Sequence, residues 1–189
     1  MQKYPRSRLP TYLLITVAGT IADLSSKSVV FDRMGGVFRR TDWLFDTAWV
    51  RFELHTSLNR GALWGLGQGW ALWFAALSVV ALIGICYWLF FRNAARSLML
   101  TCCLALISAG TLGNLYDRLG LHGVSFPGEA GPARAVRDFL HFQFGSFDWA
   151  IFNVADCLLV VGSLLLFLTP AWPEPEAAPG ASPNTNSPP

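Results

Sequence analysis

Asp156 is the residue of this 189-residue chain whose placement most strongly suggests chemistry. It lies near the head of the last apolar run, about residues 150–168. A carboxylate near the centre of a membrane helix costs about 2.5–3.5 kcal/mol on insertion scales, so chains keep one where it faces a protein interior or a water-filled cavity. We therefore interpret Asp156 as one half of a catalytic carboxylate pair.

Four aspartates are candidates for its partner: Asp23, Asp117, Asp138 and Asp148. Asp117 stands beside Arg118, where an ion pair would keep it ionised and make it a poor proton donor. Asp148 lies at the mouth of the last apolar run, where the helix dipole favours a negative charge. Reasoning from the residues alone leaves Asp138 and Asp117 as close rivals.

Further polar residues recur at helical spacing in and beside the apolar runs. Asp23 and Lys27 are four residues apart, so they share a helix face and can form an ion pair. The alternative is that this pair only neutralises itself within a helix bundle. Asn153 shares a face with Asp156, and a third face carries Asn114, Asp117 and Arg118. A run of small residues suited to close helix packing precedes that third face, at Ser108, Ala109, Gly110 and Gly113.

The composition indicates which elements must position these side chains. Apolar residues make up 53% of the chain and charged residues 14%, values typical of the membrane class. The net charge of +2 is too small to indicate a nucleic-acid partner. Four apolar runs are long enough, or nearly so, to span a bilayer, at about residues 12–31, 70–91, 98–116 and 150–168. We therefore predict an α-helical membrane protein with four transmembrane helices.

The two outer loops, about residues 32–69 and 117–149, differ in pattern. Residues 49–55 alternate apolar and polar side chains, which predicts a strand in a small sheet formed by the first outer loop and lying on the membrane surface. The second loop is rich in glycine and proline, so we expect irregular structure there. One membrane domain, residues 1–169, accounts for all of these elements.

Charges around the first run bear on orientation. Four spans place both termini on one side, and we expect that side to be cytoplasmic because Lys3, Arg6 and Arg8 directly precede the first span. Counting the arginines of the outer loops would instead favour the inverted arrangement. Residues 170–189 are rich in proline, and we expect a disordered cytoplasmic tail there.

The four cysteines lie within apolar runs and show no CxxC or Cys/His spacing. Such cysteines are usually small buried hydrophobic residues. We therefore expect no disulfide framework, no metal site and no cofactor.

Five sequence blocks, in order along the chain, resemble those of the lipoprotein signal peptidase (signal peptidase II) family. DLSSK at residues 23–27 resembles the family's D-x-x-[ST]-K, and NRGALWG at 59–65 resembles N-x-G-A-x-x-G. GTLGNLYDR at 110–118 resembles G-x-x-G-N-x-x-D-R. VRDF at 136–139 resembles V-x-D-F, and FNVAD at 152–156 resembles F-N-x-A-D. Each block alone is weak, but five in family order form a specific pattern that covers the chain from the first helix to the last.

The resemblance implies that Asp138 and Asp156 form the catalytic dyad of an aspartic endopeptidase. Water activated between the two aspartates would remove the signal peptide from diacylglyceryl-modified prolipoproteins, cutting just N-terminal to the lipidated cysteine. The implied location is the bacterial inner membrane, with the site near the outer face and with prolipoproteins and membrane lipids as partners. The resemblance assigns supporting, substrate-contacting or near-site roles to Asn59, Gly61, Asn114, Asp117, Arg118, Asn153, Asp23 and Lys27.

Two departures and two alternatives qualify this interpretation. The stretch between Arg118 and Asp138 is longer than the family's usual link, and the loop from residue 32 to 59 is somewhat generous. A non-enzymatic four-helix scaffold would use the polar residues only to specify packing. A small proton-coupled transporter would use Asp23, Lys27, Asp138 and Asp156 as a proton path, but it would favour broken helices and repeat symmetry, and the sequence shows neither.

Overall fold

A computed structural model describes residues 8–61, 67, 69–92 and 97–168. The described residues form four α-helices and one antiparallel sheet of four strands. In chain order the elements are α1 (Arg8–Met34), β1 (Phe45–Asp46), β2 (Val50–Asn59), α2 (Ala71–Cys86, continued by a π-helical turn at Tyr87–Phe91), α3 (Leu98–Arg118), β3 (Val136–Phe144), β4 (Phe147–Asp148) and α4 (Val154–Leu168).

Three of these helices are long and apolar enough to cross a membrane: Arg8–Met34, Ala71–Phe91 and Leu98–Arg118. The fourth, α4, is apolar but has only 15 described residues. It begins at Val154 rather than near residue 150, because Phe152 is held in extended conformation by hydrogen bonds with Leu140 of β3. The fourth span stays a prediction.

The sheet differs from the expectation that the first outer loop alone would form it. The strand order is β1-β2-β3-β4, so two strands come from the second outer loop. Strand β2 pairs antiparallel with β3, with Glu53 opposite His141 and Ser57 opposite Asp138. The glycines and prolines that predicted irregular structure are confined to the segment before β3, and residues 119–135 form no helix or strand. Asp148 therefore belongs to β4 rather than to the start of the last helix.

Helix α3 is the centre of the bundle and contacts the other three helices. Its small-residue face makes this possible: a Cβ on Gly110 would overlap the Ala155 carbonyl of α4, and one on Gly113 would overlap the Asp23 carboxylate of α1. Close approach of helices through small residues is the expected membrane packing. The three helices that carry the polar motif residues are thus held directly against one another.

Several predicted features lie outside the described residues. These are the basic cluster at Lys3 and Arg6, the Pro-rich tail at 170–189, and residues 62–65 of the second sequence block.

Candidate active site

Asp138 lies on β3 and is almost fully buried, with 3% of its surface exposed. The Asn153 Nδ2 donates a hydrogen bond to its Oδ1 at 2.6 Å, and the Asn59 Nδ2 donates to its Oδ2 at 3.2 Å. The pKa of Asp138 is raised to about 8. Burial is the largest cause of this increase, and the negative charge of Asp156 is the second. This pKa favours the protonated form of Asp138 at neutral pH, although the two asparagine hydrogen bonds oppose the shift.

Asp156 lies in the first turn of α4 and accepts hydrogen bonds on both oxygens. The Asn114 Nδ2 donates to Oδ1 at 2.9 Å, and the Asn153 backbone N–H donates to Oδ2 at 3.1 Å. In return the Asp156 backbone N–H donates to the Asn153 Oδ1 at 3.0 Å. This reciprocal pair is a capping box that fixes both the start of α4 and the direction of the carboxylate.

Asn153 connects the two carboxylates. Its Nδ2 donates to Asp138 and also to the Asn114 Oδ1 at 3.2 Å, while its backbone and its Oδ1 engage Asp156. Asn59 completes the arrangement, because its Oδ1 accepts the Gly61 backbone N–H at 2.9 Å and its Nδ2 is left to face Asp138. The two aspartates thus lie within one hydrogen-bond network, which is formed by residues of β3, α3, α4 and the end of β2.

A fully buried ion network lies behind this pair. The Lys27 Nζ is 2.7 Å from the Asp23 Oδ2 and 3.2 Å from the Asp117 Oδ2, and all three side chains have 0% exposure. Lys27 also donates to the Asn114 Oδ1 at 3.1 Å, and the Asp23 Oδ1 accepts the Ala155 backbone N–H at 2.8 Å. The ion pair expected from the spacing of Asp23 and Lys27 is therefore present, and it reaches both α3 and α4.

Asp117 pairs with Arg137 of β3, and the expectation that it would pair with Arg118 is wrong. Arg137 donates to Asp117 through its backbone N–H at 3.0 Å, Nε at 3.1 Å and Nη2 at 2.9 Å. Adjacent helix residues point in different directions, so Asp117 faces the interior while Arg118 faces a cavity. The Arg118 guanidinium lies over the Phe74 ring, 5.4 Å from its centroid. Sequence reasoning missed Arg137, although strand alternation places it on the face opposite to Asp138.

The two aspartates open onto a cavity of about 710 Å³. Six of the ten residues predicted for the site line it: Asn59, Gly61, Asn114, Arg118, Asp138 and Asp156. The other four, Asp23, Lys27, Asp117 and Asn153, are buried behind them. Sequence reasoning did not identify the apolar wall, although the period of two along β3 puts Phe142 and Phe144 on the face of Asp138. That wall consists mainly of Phe142, Phe144, Trp149, Ile151, Phe152, Leu159 and Val160.

Known proteins are similar to this chain in sequence and in fold. A family model described as signal peptidase (SPase) II matches residues 15–171. The lipoprotein signal peptidase of Rhodopirellula baltica is 38% identical over 172 residues, covering 87% of this chain and 73% of the relative. That of Bacillus pumilus is 37% identical over 117 residues, covering 62% and 67%. A solved bacterial membrane enzyme superposes with a TM-score of 0.68 at 26% identity, covering 88% of this chain and 89% of that one. Because the family model spans most of the sequence and a relative of this identity extends over most of both chains, the protein belongs to the signal peptidase II family and is a membrane peptidase.

Proposed function

We propose that this peptidase is an aspartic endopeptidase whose dyad is Asp138 with Asp156. The observation that carries the proposal is the pairing of the two carboxylates through Asn153 at the polar end of a largely apolar cavity. Two carboxylates held close together cannot both ionise cheaply, so one keeps a proton. Such a pair supplies an acid and a base from the same type of residue.

The raised pKa of Asp138, about 8, supports its assignment as the acid. Asp156, as a carboxylate, takes a proton from water while the water oxygen attacks the scissile carbonyl carbon. The carbonyl electron pair moves to its oxygen, which receives the Asp138 proton. On collapse of the tetrahedral intermediate, the C–N bond breaks and the amine takes the proton held by Asp156. A hydroxyl of the intermediate returns its proton to Asp138 as the new carboxyl group forms.

The substrate we propose is a prolipoprotein, the class that the names of the relatives indicate. The aromatic and aliphatic wall suits the apolar residues of a signal peptide, and Asn59, Asn114 and Arg118 offer polar groups near the scissile amide. We assign the cut to the bond just N-terminal to a diacylglyceryl-modified cysteine. A substrate anchored by its lipid would enter laterally from the membrane.

The membrane arrangement we propose has α4 as the fourth span, with both termini cytoplasmic. The sheet and the cavity would then lie near the outer face of the bacterial inner membrane, where water reaches the dyad. Cysteine-accessibility labelling in intact cells tests this: a cysteine at Ser125 in the 119–135 segment should react with an impermeant reagent. A label that reaches it only after lysis would invert the arrangement.

The test of function is cleavage of a diacylated prolipoprotein by the detergent-purified protein, followed by mass spectrometry of the products. We expect a single cut before the modified cysteine and no cut in the precursor that lacks the lipid. Asp138→Asn and Asp156→Asn should each abolish cleavage without changing the melting temperature greatly. Asp46→Asn, which changes an exposed carboxylate on β1, is the matched control and should cleave normally. Cleavage that survives both dyad changes would refute the assignment.

A further inference from the structure

A second group of polar side chains lies on the face of the sheet opposite to the catalytic cavity. Glu53 and His55 are on β2, and His141 lies on β3 opposite Glu53. One potential ligand atom from each of the three lies within 4.8 Å of the others. Asp138 and Phe142 line the cavity, so His141, which alternates with them along β3, faces the other way. The group is therefore separate from the proposed dyad.

The hydrogen bonds of His141 match those of a metal-binding histidine. Its Nδ1 is 2.7 Å from the Glu53 Oε1, and its Nε2 is 3.0 Å from the Asp148 Oδ1. Histidines that bind metals usually donate their second ring N–H to a carboxylate, which fixes the tautomer and the ring orientation. Asp148 can hold the Nε2–H, so once Nδ1 gives up the proton of its hydrogen bond with Glu53, the Nδ1 lone pair points into the group. Glu53 and His141 are both buried, with 4% and 3% exposure.

His55 gives evidence for a bound ion that does not depend on the hydrogen bonds of His141. Its Nδ1 is buried and has no hydrogen-bond partner among the described residues. An unpaired buried polar atom is costly, about 1–3 kcal/mol, and calls for a partner such as an ion.

We propose that Glu53, His55 and His141 bind one divalent transition-metal ion, with Zn²⁺ as the best match. Imidazole nitrogen and carboxylate oxygen are Zn²⁺ ligands, and three protein ligands plus water give the usual tetrahedral set. Zinc–ligand bonds of about 2.0–2.2 Å place ligand atoms roughly 3.3 Å apart, so the group contracts modestly on binding. The ion replaces the proton shared by His141 and Glu53, which is released to solvent.

The charge balance around the site favours this occupant. Glu53 and Asp148 contribute two carboxylates, and the Nε of the cationic Arg40 is 3.6 Å from the Glu53 Oε1. The Arg40 side chain is 57% exposed and can turn to solvent when the ion enters. A bound ion would connect β2 to β3, the strand that carries Asp138. Its role is structural, and peptide cleavage would not pass through it.

The experiment is a Zn²⁺ titration of the full chain, purified without a histidine tag, stripped with chelator and followed by isothermal calorimetry. We expect one equivalent to bind, with a raised melting temperature. His55→Gln should weaken binding at least tenfold. Asp148→Asn, which changes the exposed carboxylate that holds the His141 Nε2, should weaken it about 10–100-fold. His122→Gln is the matched control, because it removes the third histidine of the chain outside the group. It should bind as the unchanged protein does.

Co²⁺ substitution identifies the ligands independently of folding effects in the variants. The predicted spectrum has the visible bands of a tetrahedral nitrogen and oxygen site, without the thiolate charge-transfer band that the cysteines would give. The proposal fails if no stoichiometric binding occurs, if His55→Gln binds as tightly as His122→Gln, or if the thiolate band appears.

Discussion

Replacing Gly110 by alanine tests how closely α3 and α4 must pack for the site to form. A Cβ at this position would lie 2.8 Å from the Leu159 Cγ and closer still to the Ala155 carbonyl oxygen, whereas ordinary contact begins at 3.4 Å. The Ala155 oxygen is backbone and cannot rotate away. The two helices must therefore separate by on the order of 1 Å, the scale on which packed cores respond to an added methyl group.

Gly84→Ala is the matched control, since a Cβ on Gly84 of α2 meets nothing within 4 Å. Alanine in a helix is favoured over glycine by about 1 kcal/mol, and both variants gain this. Only Gly110→Ala incurs the overpacking cost of about 1–3 kcal/mol. Gly110→Ala should therefore be less stable than Gly84→Ala by this overpacking cost, and its melting temperature should be lower by about 2–4 °C per kcal/mol.

Activity should fall more steeply than stability in Gly110→Ala. Helix α4 carries Asp156, which accepts the 2.9 Å hydrogen bond from Asn114 of α3, and a shift of on the order of 1 Å would break it. Misplacement on that scale can reduce catalysis about 10²-fold. The assays are thermal unfolding in detergent and single-turnover cleavage of a diacylated precursor. If Gly110→Ala equals Gly84→Ala in both, the helix packing does not position the dyad.

Three further predictions follow from the described contacts. Cleavage should decline as pH rises through about 8, because Asp138 then loses the proton that it must donate; kcat/KM against pH measures this. Asn59→Ala should move this decline to higher pH, since the Asn59 hydrogen bond lowers the pKa of Asp138. Arg137→Met should destabilise the fold by about 3–5 kcal/mol by leaving Asp117 buried without its main partner, whereas Arg51→Met, at an exposed ion pair, should change thermal unfolding by at most about 1 kcal/mol.

For each of these three predictions, one result would contradict it. A rate that stays constant from pH 7 to pH 10 would show that no group with a pKa of about 8 governs cleavage, against the value for Asp138. A decline that moves to lower pH in Asn59→Ala would reverse the assigned sign. Equal melting temperatures for the two arginine variants would show that the buried pair adds nothing beyond a surface one.

Helix positions could be predicted from the sequence because membrane hydropathy is a local property. The apolar runs located α1, α2 and α3 to within a few residues, and the family motifs identified the enzyme class. That class replaces the scaffold and transporter alternatives, since the chain is a peptidase. The start of α4 could not be located from hydropathy, because it depends on the pairing of Phe152 with Leu140.

Features that depend on distant pairing were not predicted. Strand β3 forms against β2, so His141 meets Glu53, a residue 88 positions earlier. Asp117 has a basic neighbour in sequence, yet it pairs with Arg137, 20 positions later, because Arg118 faces away from it. Spacing along the chain reports which residues share one element. It does not report which elements meet.

The central claim, that Asp138 and Asp156 act as one catalytic unit, is tested most directly by a double-mutant cycle on the cleavage rate. The single-turnover rate is measured for the unchanged protein, Asp138→Asn, Asp156→Asn and the double variant. Each single change should reduce the rate about 10³-fold or more, and the double variant should lose nothing further, because removing either half disables the unit. Losses that multiply in the double variant, or a single variant that cleaves at the unchanged rate, would contradict the account.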